Sequence, residues 1–222
     1  MKPVMSSNAV IMFMRAPLKG KVKTRLAKTL GDEKAAEFYR LCIESTIGEI
    51  CRLPGGVRRY VLFDGPIHGY HTDPLIDLGF KISVQEGENL GQRLSNAFNM
   101  ILNKVAGKAV IVASDVPDLT TSVIQWALDS LDDGDVSIGP CHDGGYYLIG
   151  MKELHKELFN DISWSTDQVY KQTLAAAKKK GLVVRELPIL VDIDTEVDLR
   201  WWSKKKDLKN PSLLDFLRTA GI

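Results

Sequence analysis

Asp115 follows an apolar run, 109–113, and is a candidate ligand for a metal ion. The run is typical of a strand buried on both faces, and Pro117 predicts its end because proline has no backbone N–H to donate. Ligands of open α/β sheets bind at the carboxyl ends of the strands, where Asp115 would lie. The alternative is that Asp115 and Asp118 only cap the turn. A carboxylate at this edge would need a cation beside it, because an unpaired charge is costly to remove from water.

A basic stretch follows the first predicted strand, 9–14. It contains six cations within fourteen positions: Arg15, Lys19, Lys21, Lys23, Arg25 and Lys28. Pro17 and Gly20 predict a loop over 15–26, where backbone N–H groups and cationic side chains could both contact an anion. The stretch matches neither GxxxxGK[ST] nor GxGxxG. A solvated basic loop is the alternative, but the position directly after a strand favours a phosphate site.

The Asp143-Gly144-Gly145 stretch precedes an aromatic strand that begins at Tyr146. Adjacent glycines indicate either a tight turn or a backbone that lies directly against a ligand. A plain hairpin turn is therefore the alternative to a role in binding.

Asp192 and Asp194 precede a predicted helix. Thr195 and Asp198, three residues apart, match a helix-capping pair, and this role leaves the two preceding carboxylates unexplained. Two carboxylates near one point repel each other unless a cation lies between them. We therefore expect Asp194 to share one divalent ion with Asp115, with Asp192 as the alternative partner.

The chain has 222 residues, of which 45% are hydrophobic. This predicts one α/β domain over 1–222, with a short helical extension from about 203. The net charge of +1 disfavours nucleic acid as the main partner, because proteins that bind it are usually more basic. Three cysteines without metal-binding spacing indicate a reducing compartment. The run 9–14 is too short for a signal peptide, and no segment reaches membrane-spanning length, so a cytoplasmic location is expected.

Strands alternate with helices along most of the chain. The predicted strands are 9–14, 59–63, 80–84, 109–113, 135–140, 146–150 and 182–187, and helices are predicted over 31–51, from about 94, over 120–131, 166–180 and 213–219, and after Thr195. This alternation predicts a mainly parallel sheet with helices on both faces. The basic loop, Asp115, the Asp143 turn and Asp194 would then meet at one edge of the sheet. Mg²⁺ or Mn²⁺ could be held there by one or two carboxylates and by substrate phosphates.

Six ordered motifs carry a resemblance to a known family. They are FMRAPLKGKVKTRLAKTLG, EGENLGQRLSNAF, VIVASDVPDL, VSIGPCHDGGYYLIG, FNDISWST and LVDIDTEVDL, and the resemblance extends from Val10 to about Trp201. Together they resemble a bacterial family of GT-A-fold proteins that are similar to nucleotide-diphospho-sugar transferases and are often labelled glycosyltransferases. This family is related to the molybdenum-cofactor and phospholactate guanylyltransferases. The resemblance implies a three-layer α/β/α sandwich with a mainly parallel mixed sheet.

The resemblance also implies which residues form the site. The phosphate- and nucleotide-binding residues would be Arg15, Ala16, Pro17, Gly20, Lys23, Arg25, Gly91 and Arg93, with the last two near the nucleoside. Lys23, Arg25 and Asp115 would be catalytic, and the ligands of Mg²⁺ or Mn²⁺ would be Asp115 and Asp194. The acceptor side would consist of Asp143, Gly144, Gly145 and Tyr146. In one departure, Glu196 and Val197 replace the Pro-Glu pair of the family's helix start, which leaves the preceding carboxylate intact.

The expected function is that of a metal-dependent transferase that moves a group from a nucleotide-activated substrate to a small-molecule acceptor. A glycosyltransferase that uses a nucleotide-diphospho-sugar is the first expectation, and a nucleotidyltransferase that releases pyrophosphate is the alternative. The basic loop lacks the multiple glycines of the sugar nucleotidyltransferases, and both reactions stay open. A non-catalytic nucleotide-sugar-binding protein is the alternative from another class, and the retained carboxylates argue against it.

Overall fold

The computed structural model describes residues 7–67, 70–102, 104–206 and 208–222. Its strands are β1 (Asn8–Met14), β2 (Arg58–Phe63), β3 (Phe80–Val84), β4 (Lys108–Val112), β5 (Val136–Pro140), β6 (Tyr146–Met151) and β7 (Val184–Glu186). Its α-helices are α1 (Thr24–Leu30), α2 (Asp32–Cys51), α3 (Asp73–Asp77), α4 (Leu90–Leu102), α5 (Thr121–Asp129), α6 (Val169–Lys179), α7 (Glu196–Ser203) and α8 (Pro211–Ala220). Short 3-10 helices occupy Ser130–Asp132 and Lys156–Phe159.

The strands form one sheet in the order β3-β2-β1-β4-β6-β5-β7. β1 pairs in parallel with β2 and β4, β2 pairs in parallel with β3, and β5 pairs in parallel with β7. β6 is antiparallel to both of its neighbours, β4 and β5. Apart from β6, the described strands therefore end at one edge of the sheet, which we call the site edge, and β6 begins there.

Two apolar cores cover the faces of the sheet. On one face α2 and α5 pack over the strands through residues that include Ile43 and Ile124, and we call this the α2 core. On the other face α4 and α6 contribute residues that include Phe98 and Ala177, and we call this the α4 core. This arrangement confirms the predicted α/β/α sandwich around a mainly parallel mixed sheet.

A third core joins the C-terminal helices to the outer side of α2. The ring of Phe38, on α2, lies 6.4 Å from the ring of Trp202, on α7, and 5.4 Å from that of Phe216, on α8, measured between centroids. α2 is therefore buried on two sides, against the sheet and against α7 and α8. α7 ends at Ser203 and α8 follows it, and the helical extension from about 203 stays a prediction.

One helix corrects the sequence prediction for the basic stretch. α1 covers 24–30, so it includes the last residues of the stretch predicted as a loop, 15–26. Leu26 is fully buried in the third core, whereas the neighbouring Arg25 and Lys28 are exposed. A single buried apolar residue does not give the repeated apolar spacing from which a helix of this length is predicted.

The described helices include no candidate membrane span, because none is both long enough and apolar enough to cross a bilayer. The thiols of Cys42, Cys51 and Cys141 are all free.

We expect Trp202→Ala to lower the free energy of unfolding by about 3–5 kcal/mol, because the loss of a buried aromatic ring leaves a cavity. Trp202 is 2% exposed, and its indole N–H donates to Asp118 Oδ1 at 2.7 Å. Trp201 is the matched control, because it is 49% exposed, and Trp201→Ala should cost less than about 1 kcal/mol. Urea unfolding measures both values. Equal losses would contradict the packing of α7 on α2.

Candidate functional site

Charged residues from distant parts of the chain meet at the site edge. Arg15 follows β1, Asp64 follows β2 and Asp115 comes shortly after β4. The N–H of Asp64 donates to the Met14 carbonyl at 2.7 Å, and the N–H of Ile193 donates to the Asp115 carbonyl at 3.2 Å. These bonds hold the segments beyond the strands side by side around a cleft of about 390 Å³. The charged residues that line the cleft are Arg15, Lys23, Asp64, Arg93, Asp115 and Asp194.

Lys23 lies between the two predicted metal ligands. Its Nζ donates to Asp115 Oδ2 at 2.9 Å and to Asp194 Oδ1 at 2.5 Å. The Lys23 side chain is only 5% exposed, whereas those of Asp115 and Asp194 are 29% and 40% exposed. The structure thus brings these three residues together, and the ammonium supplies the positive charge that two neighbouring carboxylates require.

The surroundings of Lys23 keep its side chain charged. Burial by itself lowers the pKa of a lysine, but the charges and hydrogen bonds of Asp115 and Asp194 outweigh burial and raise the pKa of Lys23 above its ordinary value. The backbone of Lys23 is left-handed, with φ 45° and ψ 42°, directly before α1. This conformation costs a residue with a side chain roughly 1–2 kcal/mol, and the two ion pairs help to offset that cost.

The first turn of α7 positions Asp194. Asp198 Oδ2 accepts a hydrogen bond from the N–H of Thr195 at 2.7 Å and another from the N–H of Asp194 at 3.2 Å. Thr195 Oγ1 in turn accepts from the N–H of Asp198, which confirms the predicted capping pair. Arg25, which is 68% exposed, lies 3.7 Å from the second oxygen of Asp194. The cap thus holds the backbone of Asp194 and leaves its carboxylate to Lys23 and Arg25.

Asp64 joins two of the predicted phosphate- and nucleotide-binding residues. Arg15 Nε donates to Asp64 Oδ2 at 2.7 Å, and Arg93 Nη1 donates to Asp64 Oδ1. Arg93 Nε also donates to the Gly87 carbonyl at 3.1 Å. Burial by itself raises the pKa of Asp64, but the hydrogen bonds and charges of the two guanidinium groups hold that pKa below its usual value. The arginines are thus held in place by a carboxylate that the sequence analysis did not single out.

A sequence signal for Asp64 was nevertheless present. Asp64 directly follows the predicted strand 59–63, much as Asp115 comes shortly after the run 109–113. A carboxylate just beyond a strand of a parallel sheet lies where ligands bind. The same criterion would have identified both acidic residues.

A buried hydrogen-bonded pair supports the start of the basic loop. The Tyr39 hydroxyl accepts from the N–H of Arg15 at 3.0 Å and lies 2.8 Å from Ser114 Oγ. Burial, together with the nearby charge of Asp115, raises the pKa of Tyr39 to about 12, so the hydroxyl keeps its proton at neutral pH. Tyr39 therefore links α2 to the segments that follow β1 and β4.

The Asp143-Gly144-Gly145 stretch forms the tight turn between β5 and β6. The N–H of Gly144 donates to the Cys141 carbonyl at 3.2 Å, and the N–H of Gly145 donates to Asp143 Oδ1 at 2.8 Å. Gly144 has a φ of 87°, and a Cβ there would lie 2.2 Å from the Asp167 carbonyl oxygen. Packing and backbone conformation therefore explain this glycine, as the hairpin alternative expects. The acceptor role of the turn stays a prediction.

Asp192 lies beside this turn. One carboxylate oxygen each from Asp192 and Asp143 and the Cys141 sulfur lie within 4.8 Å of one another. Burial, followed by the charges of Asp143 and Asp115, raises the pKa of Asp192 to about 7. Burial also raises the pKa of the Cys141 thiol. The acidic surface of the site edge thus continues from Asp115 and Asp194 to the turn.

Two predicted site residues, Gly91 and Tyr146, are covered by other parts of the chain. A Cβ on Gly91 would lie 2.7 Å from the Phe159 carbonyl oxygen and 2.9 Å from the Trp164 ring. The Tyr146 hydroxyl is buried, and its ring packs against the α4 core. Successive side chains of a strand point to opposite faces of the sheet, and the Tyr146 side chain points to the face of the α4 core. The structure therefore does not bring the Tyr146 hydroxyl to the cleft. The close packing around Gly91 explains the glycine at that position. Contact of Gly91 with a nucleoside stays a prediction.

The remaining loop residues shape the basic stretch. Ala16 is 9% exposed and belongs to the α2 core, and Pro17 follows it, half-buried. Gly20, with a φ of 71°, is the third residue of a turn in which the N–H of Lys21 donates to the Leu18 carbonyl at 2.9 Å. Glycine is favoured at that position of a turn. Direct contact of these three residues with phosphate stays a prediction.

A larger cleft, of about 770 Å³, lies between α2 and the segment that leads into α8. It is lined by Asp118, which accepts hydrogen bonds from the Lys205 ammonium and from the Trp202 indole. None of the predicted site residues is among those that line it. Asp118 therefore has a structural partner on α7, and the predicted metal ligands Asp115 and Asp194 line the smaller cleft instead.

The donor atoms at the site edge fit a hard divalent cation. Mg²⁺ and Mn²⁺ prefer carboxylate oxygens and complete their coordination with phosphates or waters. Asp115 Oδ2 and Asp194 Oδ1 converge on one cationic nitrogen, at 2.9 and 2.5 Å, and both side chains are partly open to the cleft. Asp115 and Asp194 could therefore supply ligands to such an ion, and their role as metal ligands stays a prediction.

Comparisons with known proteins connect this fold to transferases. A family described as "Uncharacterized protein conserved in bacteria (DUF2064)" matches residues 50–166. The crystal structure of a candidate nucleotide-diphospho-sugar transferase from Desulfovibrio desulfuricans G20 is 29% identical, with a TM-score of 0.88 over 97% of both chains. A search of curated protein sequences gives no match.

Two further solved structures share the fold at low identity. The inositol-1-phosphate CTP transferase from T. maritima is 14% identical, with a TM-score of 0.55 over 97% of this chain and 96% of the other. The 4-diphosphocytidyl-2C-methyl-D-erythritol synthase from Anaerococcus prevotii DSM 20548 is 8% identical, with a TM-score of 0.56 over 88% of this chain and 96% of the other. At such identities the likeness concerns the fold alone.

We expect the Arg15–Asp64–Arg93 cluster to make stability depend on pH in the acidic range. Because the pKa of Asp64 is lower in the folded than in the unfolded chain, the contribution of the cluster is fully present above the unfolded value of about 3.9 and is lost as the pH falls through the folded value. Asp64→Asn should therefore lower the free energy of unfolding by ~1 kcal/mol at neutral pH and by less at about pH 3.

Urea unfolding of the parent and of Asp64→Asn at both pH values measures this difference. Asp215→Asn is the control, because Asp215 is 66% exposed and pairs with Arg218 of the same helix. A cost of Asp64→Asn that is equal at the two pH values would show that the carboxylate charge does not stabilise the cluster.

Proposed function

We propose that this chain, which belongs to the bacterial DUF2064 family, is a metal-dependent glycosyltransferase that uses a nucleotide-diphospho-sugar. The observation that carries the proposal is the pair of carboxylates, Asp115 and Asp194, joined by the buried Lys23 at the carboxyl ends of the strands. The arginines at the same cleft, Arg15 and Arg93, add the charge that a diphosphate needs. The likeness to the Desulfovibrio protein over 97% of both chains supports this proposal.

In the proposed reaction, the bond between the sugar carbon and the diphosphate oxygen breaks, and a nucleoside diphosphate leaves with the electron pair of that bond. The acceptor oxygen forms the new bond to the sugar carbon and gives up its proton. The side chains of Arg15, Lys23 and Arg25 would stabilise the charge that develops on the leaving diphosphate, through charge-assisted hydrogen bonds. A bound Mg²⁺ or Mn²⁺ ion would supply Lewis-acid stabilisation of the same oxygens.

The acceptor would bind on the side of the β5–β6 turn. Asp143 and Asp192 place carboxylate oxygens close together there, and such oxygens accept hydrogen bonds from hydroxyl groups. A hydroxylated small molecule is therefore the acceptor class that suits this side of the site. We also propose a cytoplasmic location, which the three free thiols support.

Nucleotidyl transfer is the second candidate, and one observation favours it. Four cations, Lys23, Arg15, Arg93 and Arg25, lie at or beside one cleft. Asp64 and Asp194 neutralise part of this positive charge. A ligand whose phosphates replaced these two carboxylates as partners of the cations would interact with all four positive charges. Such an array suits a triphosphate, from which attack at the α-phosphorus would release pyrophosphate.

Product analysis separates the two reactions. The protein is incubated with Mg²⁺ or Mn²⁺ and a panel of nucleotide sugars, or of nucleoside triphosphates with sugar phosphates. Release of a nucleoside diphosphate supports glycosyl transfer. Release of pyrophosphate would overturn glycosyl transfer and support nucleotidyl transfer. Nucleotide binding without either product would identify a non-catalytic binding protein and overturn both candidates.

We expect Asp115→Asn to weaken metal-dependent nucleotide binding more than about 100-fold while the fold is kept. The amide is almost isosteric but lacks the charge that a hard cation requires, and loss of a direct ligand should exceed the 10–100-fold cost of losing a supporting residue. Calorimetric titration with Mn²⁺ and the nucleotide measures the change. Asp118→Asn is the control, because Asp118 contacts Trp202 and Lys205 at the other cleft. Parent-like binding by Asp115→Asn would exclude Asp115 as a metal ligand.

Lys23→Ala and Arg25→Ala should weaken the binding of a nucleoside diphosphate about tenfold or more, because each removes a charged hydrogen-bond donor worth roughly 1.5–3 kcal/mol. The corresponding nucleoside, which lacks phosphates, should bind with little change. Competition titrations with the two ligands measure the ratio. Arg40→Ala is the control, since Arg40 is exposed and pairs with Glu44 of the same helix, α2. Equal losses for nucleoside and nucleotide would identify the basic loop as a solvated surface.

A further inference from the structure

The Lys23 ammonium and a divalent cation would use the same carboxylate oxygens. We propose that Lys23 closes the metal site of the free protein, and that phosphate anions open it by drawing the ammonium away, so that metal and nucleotide bind together. This inference rests on the proposed function, since it concerns the predicted metal ligands Asp115 and Asp194. It adds that the free protein should have little affinity for the metal alone.

The Lys23 ammonium occupies the position between the two predicted metal ligands, Asp115 and Asp194. Nζ of Lys23 lies 2.9 Å from Asp115 Oδ2 and 2.5 Å from Asp194 Oδ1, and the lysine side chain is 5% exposed. A magnesium ion binds oxygen at about 2.0–2.1 Å, so an ion that bridged these two oxygens would overlap the position of the ammonium. The lysine and the ion therefore exclude each other at this pair of carboxylates.

A phosphate bound in the cleft would be an alternative hydrogen-bond partner for the Lys23 ammonium. The lysine side chain is flexible and carries a compact point charge, and Lys23 is the residue directly before α1. Lys23 lines the same cleft as Arg15 and Arg93, where phosphates are proposed to bind. A phosphate group would accept hydrogen bonds from the ammonium in place of the two carboxylates and would leave those oxygens to the ion.

Metal and nucleotide should each raise the affinity of the protein for the other. If nucleotide raises the affinity for the metal by removing the ammonium, the metal raises the affinity for nucleotide by the same factor. Removing the ammonium by mutation should have opposite effects on the two ligands. Lys23→Met should weaken nucleotide binding, because a phosphate donor is lost, and should strengthen the binding of the metal alone, because the carboxylates become free.

The test uses Mn²⁺ alone, with free Mn²⁺ counted by electron paramagnetic resonance. Lys23→Met should bind Mn²⁺ at least about fivefold more tightly than the parent, the lower end of typical coupling between linked sites. Lys21→Met is the matched control, because it removes the same charge from an exposed lysine two residues away. It should leave Mn²⁺ affinity within about twofold of the parent, as an exposed charge acts only through a screened field. Adding Asp194→Asn to Lys23→Met should abolish the gain.

The outcomes separate this inference from the proposed function. If the parent binds nucleotide with metal but Lys23→Met gains no affinity for Mn²⁺, the inference is overturned and the proposed function stands. If no nucleotide binds while Lys23→Met still gains affinity for Mn²⁺, the proposed function fails alone. Equal gains by Lys23→Met and Lys21→Met would also overturn the inference, because a general field would then explain them.

A second measurement needs no variant that might misfold. In protein labelled with ¹³C at lysine Cε, the Lys23 signal of the parent should not move when Mg²⁺ alone is added. It should shift when Mg²⁺ and a nucleoside diphosphate are added together, because the ammonium then changes partners. A full shift with Mg²⁺ alone would overturn the inference.

Discussion

A buried ammonium shared by two carboxylates holds the site edge together. Lys23 comes from the loop after β1, Asp115 from the segment after β4, and Asp194 from the approach to α7. Without the ammonium or another cation between them, the carboxylates of Asp115 and Asp194 would repel each other. The remaining features of the site support this contact: the α7 cap fixes the backbone of Asp194, and the Ile193–Asp115 hydrogen bond sets the spacing of the two segments.

The fold could be predicted from the sequence because its signals are local. The apolar run before Asp115 and the proline after it predict where the strand ends, and the spacing of Thr195 and Asp198 predicts the start of a helix that the structure confirms. α1 could not be predicted in the same way, because Leu26 is its only buried residue. Leu26 lies in the third core, to which α2, α7 and α8 contribute, so tertiary packing and not a local pattern accounts for that helix.

Side-chain pairing was the part of the site that sequence reasoning could not reach. The basic loop suggested contacts between cations and phosphate, but a charged residue in a loop can face any partner that the fold brings near it. Asp64 shows this most clearly: it joins Arg15 and Arg93, which lie on two different segments of the chain. Gly144 shows the converse, since its φ and the nearby Asp167 carbonyl give it a reason unrelated to ligands.

The Lys23–Asp194 contact spans 171 residues, and this separation has a consequence for how the protein matures. A growing chain that has already formed β1 to β4 still lacks the second carboxylate, because Asp194 follows β7 in the sequence. Until then the ammonium has only half of its partners, and the left-handed backbone at Lys23 is supported by one ion pair instead of two. The strands of the sheet can therefore pair before the site exists, and the site is completed only after the segment that carries Asp194 has been added.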